Sequence, residues 1–166
     1  MSETARLADF ALALRLEDVP APVRATARDA ILDSLGCAIA GRREPATRRV
    51  REFALAQQGA GVATLWGTGE RVPAELAALV NGTAAHALDF DDVSWALNGH
   101  PTVPLLPAVF AAAEKTGASG ADFLRAYVAG FEVEARLGQA LGRGHYEKGW
   151  HATATLGVFG AAAAAG

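Results

Sequence analysis

Apolar residues in this chain return at every fourth position over long stretches, and that period restricts the fold more than any other feature. Val23, Ala27, Ile31, Leu35 and Ile39 form one such run, and Phe123, Tyr127, Phe131 and Ala135 form another. Residues four apart share a face of an α-helix, so each run is a stripe that must be buried against a neighbouring helix. Hydrophobic residues make up 51% of the sequence but aromatic residues only 7%. The excess is mostly alanine, leucine and valine, which suits closely packed helices better than a β-sandwich. The expected class is all-α, and 166 residues suffice for one domain with a substantial core.

Breakers divide the chain into segments. Ser2 can cap a first helix carrying Leu7, Phe10, Ala11 and Leu14, and Pro20 ends it. Pro22 fits the first turn of a second helix that stops at Gly41, and Pro45 opens a third. Val62 to Trp66, Gly67-Thr68-Gly69 and Glu70 to Val72 abandon the helical period and read as one small β-hairpin near 62–72. Pro73 starts a fourth helix that runs through Gly82 down to the aspartates at 89–92. Leu105 to Lys115 is a fifth, with Pro104 and Pro107 in its opening turns, and Ser119 begins a sixth with a capping-box-like segment. A loop from Gly142 to Gly149 precedes a last, alanine-rich helix that Trp150-His151 leads into.

Several function classes drop out. A net charge of −3 gives no basis for nucleic-acid binding. Arg42, Arg43, Arg48, Arg49 and Arg51 are interrupted by Glu44 and Glu52 and read as a solvated helix face. The N-terminus has no signal-peptide pattern, and no uncharged apolar stretch reaches the roughly 18 residues of a membrane span. A soluble, cytoplasmic protein without membrane or nucleic-acid partners is expected. The lone Cys37 precludes a disulfide framework within the chain and reads as a small buried thiol. Neither glycine-rich stretch carries the Gly-Lys-Ser/Thr of a phosphate loop. The alanine run to Gly166 reads as a helix stopped in progress, so the chain is expected to be the first part of something longer.

The candidate chemistry lies around residues 86–102. Asp89, Asp91 and Asp92 fall at the expected end of the fourth helix, and no lysine or arginine lies between Arg71 and Lys115. Acids at a helix C-terminus face the negative pole of its dipole, at roughly 0.3–1 kcal/mol each. Such an uncompensated cluster marks a site. His86 precedes Asp89 by three residues, so the two are neighbours if the helix continues, and His100-Pro101 follows. Histidine beside a carboxylate suits general acid–base work near neutral pH. A metal held by His86, Asp89, Asp92 and His100 is the competing reading. The spacing matches no tight signature such as His-Glu-x-x-His, so no metal is expected.

These residues also carry a family resemblance. Ala85-His86-Ala87-Leu88-Asp89-Phe90-Asp91-Asp92, then Gly99-His100-Pro101-Thr102 and Leu106-Pro107-Ala108, resemble the MmgE/PrpD family. So do Gly130-Phe131-Glu132-Val133 with Arg136, Gly149-Trp150-His151-Ala152-Thr153-Ala154-Thr155, and Gly157 to Ala162. The early Asp33-Ser34-Leu35-Gly36-Cys37 segment and the Ala63 to Gly67 hairpin fit as well. The resemblance implies a large helical domain plus a smaller α+β lid, usually in a homodimer. Residues 1–166 would be the N-terminal portion of the helical domain, with the lid absent.

The resemblance further implies metal-free, cofactor-free acid–base chemistry on small di- and tricarboxylates. Asp89, His100 and His151 fall on the family's catalytic positions, with His86, Asp92, Ser94 and Thr102 as substrate-binding candidates. The cations that an anionic substrate needs are lysines further along the chain. One departure concerns the decarboxylase branch, in which a threonine follows the first aspartate by four residues. Val93 stands there, with Ser94 beside it, and the loop to His100 is one residue longer. The expected activity is therefore a 2-methylcitrate dehydratase-like hydro-lyase, with epimerase or decarboxylase as alternatives. A reading from another class is a helical packing or dimerisation fragment with no activity of its own.

Overall fold

The computed structural model describes residues 2–166. It contains eight α-helices among the described residues: α1 (Glu3–Ala13), α2 (Ala21–Gly41), α3 (Pro45–Ala56), α4 (Ala74–His86), α5 (Thr102–Thr116), α6 (Gly120–Leu141), α7 (Gly144–Glu147) and α8 (Ala152–Ala165). Strands β1 (Ala63–Thr64) and β2 (Arg71–Val72) form the one hairpin, antiparallel, with Ala63 opposite Val72. The all-α class with a single hairpin is as the periodicity requires. No helix of the described residues is long and apolar enough to cross a membrane.

Helix α5 sits at the centre, with α4 packed on it from one side and α8 from another. Helix α6 covers α8, and α2 and α3 cover α4. Leu105, Leu106 and Val109 of α5 meet Ala84 and Ala85 of α4 and Leu124 and Tyr127 of α6 in the main core. A second cluster, Ala54, Leu65, Val72, Ala77 and Val80, lies under the hairpin. Two polar side chains pin that hairpin. Asn81 accepts from the Trp66 amide at 3.0 Å and donates to the Thr64 carbonyl at 2.9 Å. Glu114 accepts from the Thr64 amide at 2.7 Å and from its hydroxyl at 2.6 Å. Arg51, from the arginine-rich face of α3, pairs with Glu70. Cys37 is a free, buried thiol.

Helices α6 and α8 approach closely because both carry glycine at the crossing. A Cβ on Gly130 would lie 2.6 Å from the Gly160 carbonyl oxygen, which no larger residue permits. Glu134 of α6 is sealed into this contact. It is 0% exposed, and neither carboxyl oxygen has a hydrogen-bond partner. Burial, with a smaller contribution from Asp92, pushes this carboxyl up to about 9, so it is protonated at neutral pH.

Three local differences from the sequence reading have physical causes. Helix α4 ends at His86 instead of continuing to the aspartates, and the chain leaves it through Asp89 in the left-handed region at φ 57°. Aspartate tolerates that conformation better than most non-glycine residues. Helix α5 begins three residues earlier than Leu105, because Asp92 caps it from outside. That start places Pro107 within the helix, where its missing N–H frees the Val103 carbonyl. Gly82 of α4 packs at this point: a Cβ there would lie 3.4 Å from the Val103 oxygen. The segment at 142–149, expected as loop, contains the single turn α7.

Candidate active site

The site grows from the two ends of the segment between α4 and α5. His86 occupies the last turn of α4. The Asp89 amide donates to the His86 carbonyl at 3.1 Å, and the positive φ at Asp89 then turns the chain back. Asp91 consequently points inward with its side chain 0% exposed. His86 Nδ1 lies 2.9 Å from Asp91 Oδ1 and 3.1 Å from Oδ2. His100 Nδ1 lies 3.2 Å from Asp91 Oδ2. The two imidazole rings meet edge-to-face with centroids 4.9 Å apart. Asp89, whose side chain is 78% exposed, reaches the other side of the second ring, 3.5 Å from His100 Nε2.

The expected pairing of His86 with Asp89 is thus replaced by His86 with Asp91. The helical spacing that made His86 and Asp89 neighbours does not exist once α4 has stopped. Asp91 belonged to the cluster read as a site, but sequence reasoning assigned it no catalytic or binding role. It was visible only as the middle member of the acidic cluster, and nothing local distinguishes it from its neighbours.

The loop from Ser94 to Gly99 closes on itself through paired backbone bonds, Ser94 N–H to Gly99 O at 2.9 Å and Gly99 N–H to Ser94 O at 3.4 Å. Ser94 Oγ accepts from the Ala96 amide at 3.2 Å. Gly99 lets this loop reach the start of α8, since a Cβ there would lie 2.7 Å from Thr153 Oγ1. The His100 amide donates to the same hydroxyl at 2.9 Å. Helix α8 therefore clasps the backbone of the central histidine.

His151 is exposed at the N-cap position of α8, and its ring packs edge-to-face on Tyr146 at 5.5 Å. Tyr146 lines a cavity of about 370 Å³ together with Ser94, Trp95, Asn98, His100 and Arg143. Asp89 and His100 are thus brought together directly, whereas His151 packs on Tyr146 and is not among the residues lining that cavity. Arg143 is a further residue that the sequence reading missed. It puts a basic residue along this cavity, although all cationic groups were expected from elsewhere in the protein.

Asp92 and Thr102 turn inward to each other. Asp92 accepts from the Thr102 amide at 3.1 Å and from its hydroxyl at 2.6 Å, and that hydroxyl lies 2.6 Å from Tyr127 Oη. Thr102 is 0% exposed. Pro101 holds the N-cap position of α5 and has no side-chain oxygen, so Asp92 does the capping. Its charge faces the favourable pole of α5, the reverse of the dipole cost expected at the end of α4. Desolvation raises the Asp92 carboxyl above its ordinary value, and the bonds from Thr102 oppose that rise.

One donor set could take a cation. Ligand atoms of His86, Asp89, Asp91 and His100 all lie within 4.8 Å of one another. It differs from the set read in the sequence by Asp91 in place of Asp92. The Nδ1 atom of His86 already engages Asp91, so a cation would have to displace an existing hydrogen bond.

Comparison with known proteins agrees with the motifs. The MmgE/PrpD N-terminal domain model matches residues 5–166. A cis-aconitate decarboxylase-like protein of Aspergillus oryzae is 34% identical over 97% of this chain and 35% of its own length. The cis-aconitate decarboxylase of Aspergillus terreus is 31% identical over 98% of this chain and 34% of its own. The Mus musculus cis-aconitate decarboxylase is 35% identical over 81% of this chain and 29% of its own. The chain spans about a third of the length of these curated relatives. With the family model matched from residue 5 to residue 166, the chain belongs to the MmgE/PrpD family.

Proposed function

We propose that this chain supplies the histidine–aspartate half of an acid–base lyase acting on small di- and tricarboxylates. The observation that carries the reading is His100, set between a buried and an exposed carboxylate and lining a cavity along which Arg143 also lies. Loss of carbon dioxide leaves an electron pair on carbon that must be captured by a proton. Loss of water requires a proton to leave the carbon next to a carboxylate and another to reach the departing hydroxyl. Both need a histidine in a defined protonation state and a cation to hold the substrate anion. His100 is the proton-transfer group, Asp89 stands beside its outer nitrogen, and His151, packed on Tyr146, is the second proton carrier. Asp92 and Thr102 are positioning residues that fix the start of α5. Arg143 holds one substrate carboxylate, and the chemistry uses neither metal nor cofactor.

Decarboxylation of cis-aconitate is the first reaction to test, because the relatives are named for it. Water elimination from a methylcitrate-like acid is the second reading, favoured by Val93 where the decarboxylase branch has threonine. The complete protein, pretreated with a chelator, is incubated separately with cis-aconitate, 2-methylcitrate and iminodisuccinate, and products are followed by NMR. Carbon dioxide release identifies the decarboxylase, and loss of water from methylcitrate the dehydratase. Conversion that His100→Ala abolishes supports the assignment, and activity restored only by added metal rejects the metal-free chemistry. If no acid is converted, the lyase reading fails and the helical packing role takes its place. The complete protein is proposed to be a homodimer, which sedimentation velocity tests.

A further inference from the structure

Asp91 is given no step in the reading above, yet it is a buried charged group in direct reach of both imidazoles. Its side chain is fully buried, and no lysine or arginine pairs with it among the described residues. A buried carboxylate without partners is costly, by several kcal/mol for an ion even after relaxation. The groups available to compensate it are the two imidazoles, each presenting Nδ1, at 2.9 Å from His86 and 3.2 Å from His100. His100 Nδ1 is itself buried and lacks an aligned acceptor in this conformation. Asp91 Oδ2, at 3.2 Å, lies within hydrogen-bond distance of it.

We propose that Asp91 is a positioning residue that fixes both His86 and His100 as their Nδ1–H tautomers. A neutral imidazole carries one N–H and one lone pair. A lone pair facing a carboxylate oxygen at these distances is repelled, so each ring places its proton on Nδ1 and leaves Nε2 unprotonated. Both Nε2 atoms then become available as proton acceptors; Asp89, farther from His100 Nε2 at 3.5 Å and exposed to solvent, opposes this less than the buried Asp91 favours it. One carboxylate therefore sets the direction of proton flow through two rings. The consequence for turnover rests on the lyase reading, whereas the tautomer assignment stands without it.

The test is histidine-selective NMR of the ring nitrogens in the complete protein, recorded where the imidazoles are neutral. His86→Gln and His100→Gln identify the two signals. Both rings are expected as Nδ1–H tautomers in the unmodified protein, and Asp91→Asn is expected to mix them, because an amide can accept or donate. With a converted acid, Asp91→Asn should lower kcat by about 10–100-fold, the usual scale for losing such an orienting partner, with KM within about twofold. A proton on Nε2 of either ring in the unmodified protein overturns the proposal, whether or not the variant folds. So do tautomers unchanged in a folded Asp91→Asn protein. Absence of turnover in the unmodified protein sinks the lyase reading alone and leaves the ring-nitrogen result to decide this one.

Discussion

Replacing Glu134 by glutamine tests how tightly the α6–α8 contact is sealed. The folded protein holds this carboxyl protonated up to about 9, against an ordinary value of 4.5. Between those two values the folded state binds a proton that the unfolded chain has released. Stability is therefore fully present below the ordinary value and declines as pH rises, until the folded group also ionises. At about pH 7 the gap from the ordinary value is about 2.5 units, which corresponds to roughly 3 kcal/mol lost relative to acid conditions. Glutamine keeps nearly the same shape and cannot ionise, so this dependence disappears in Glu134→Gln. The amide remains without partners, which costs about 1–3 kcal/mol and offsets part of the gain at neutral pH. The slope is thus the decisive quantity. Urea unfolding followed by circular dichroism should show the stability difference between variant and parent growing by about 1.4 kcal/mol per pH unit between about pH 5.5 and 8.5. Parallel profiles would refute the buried, protonated state.

Three further outcomes follow from the site. Gly99→Ala forces a Cβ to within 2.7 Å of Thr153 Oγ1; a loss of roughly 1–3 kcal/mol in unfolding free energy is expected, with reduced turnover as the loop shifts. Asp92→Ala removes two hydrogen bonds from the start of α5, so its melting curve should show a cost of about 1–3 kcal/mol, while KM for any converted acid changes little. Arg143→Ala removes the basic side chain that lines the cavity, and steady-state kinetics should show KM raised about tenfold with kcat changed less, the pattern for lost uniform binding. An unaltered KM removes Arg143 from substrate recognition.

Helical content was legible because the stripes at 23–39 and 123–135 repeat a period that strands cannot use. The hairpin was legible from its glycines and from the break in that period. The end of α4 was not, because Ala87 and Leu88 continue the apolar pattern and no glycine marks the stop. The change rests on one backbone torsion at Asp89, and it decides which aspartate faces which histidine. The start of α5 was equally hidden, since its cap comes from Asp92, ten residues away in sequence. The packing of His151 on Tyr146, and the place of Arg143 along the cavity, depend on how α6, α7 and α8 pack together. Glu134 was in principle visible: it lies seven residues after Tyr127, on the same buried face of α6.

The contacts among His86, Asp91 and His100 join residues no more than fourteen positions apart, whereas the bond from the His100 amide to Thr153 spans fifty-three. A growing polypeptide can therefore form the two-imidazole cluster as soon as α4 and α5 have emerged from the ribosome. The bond that holds the His100 backbone waits for Thr153 of α8.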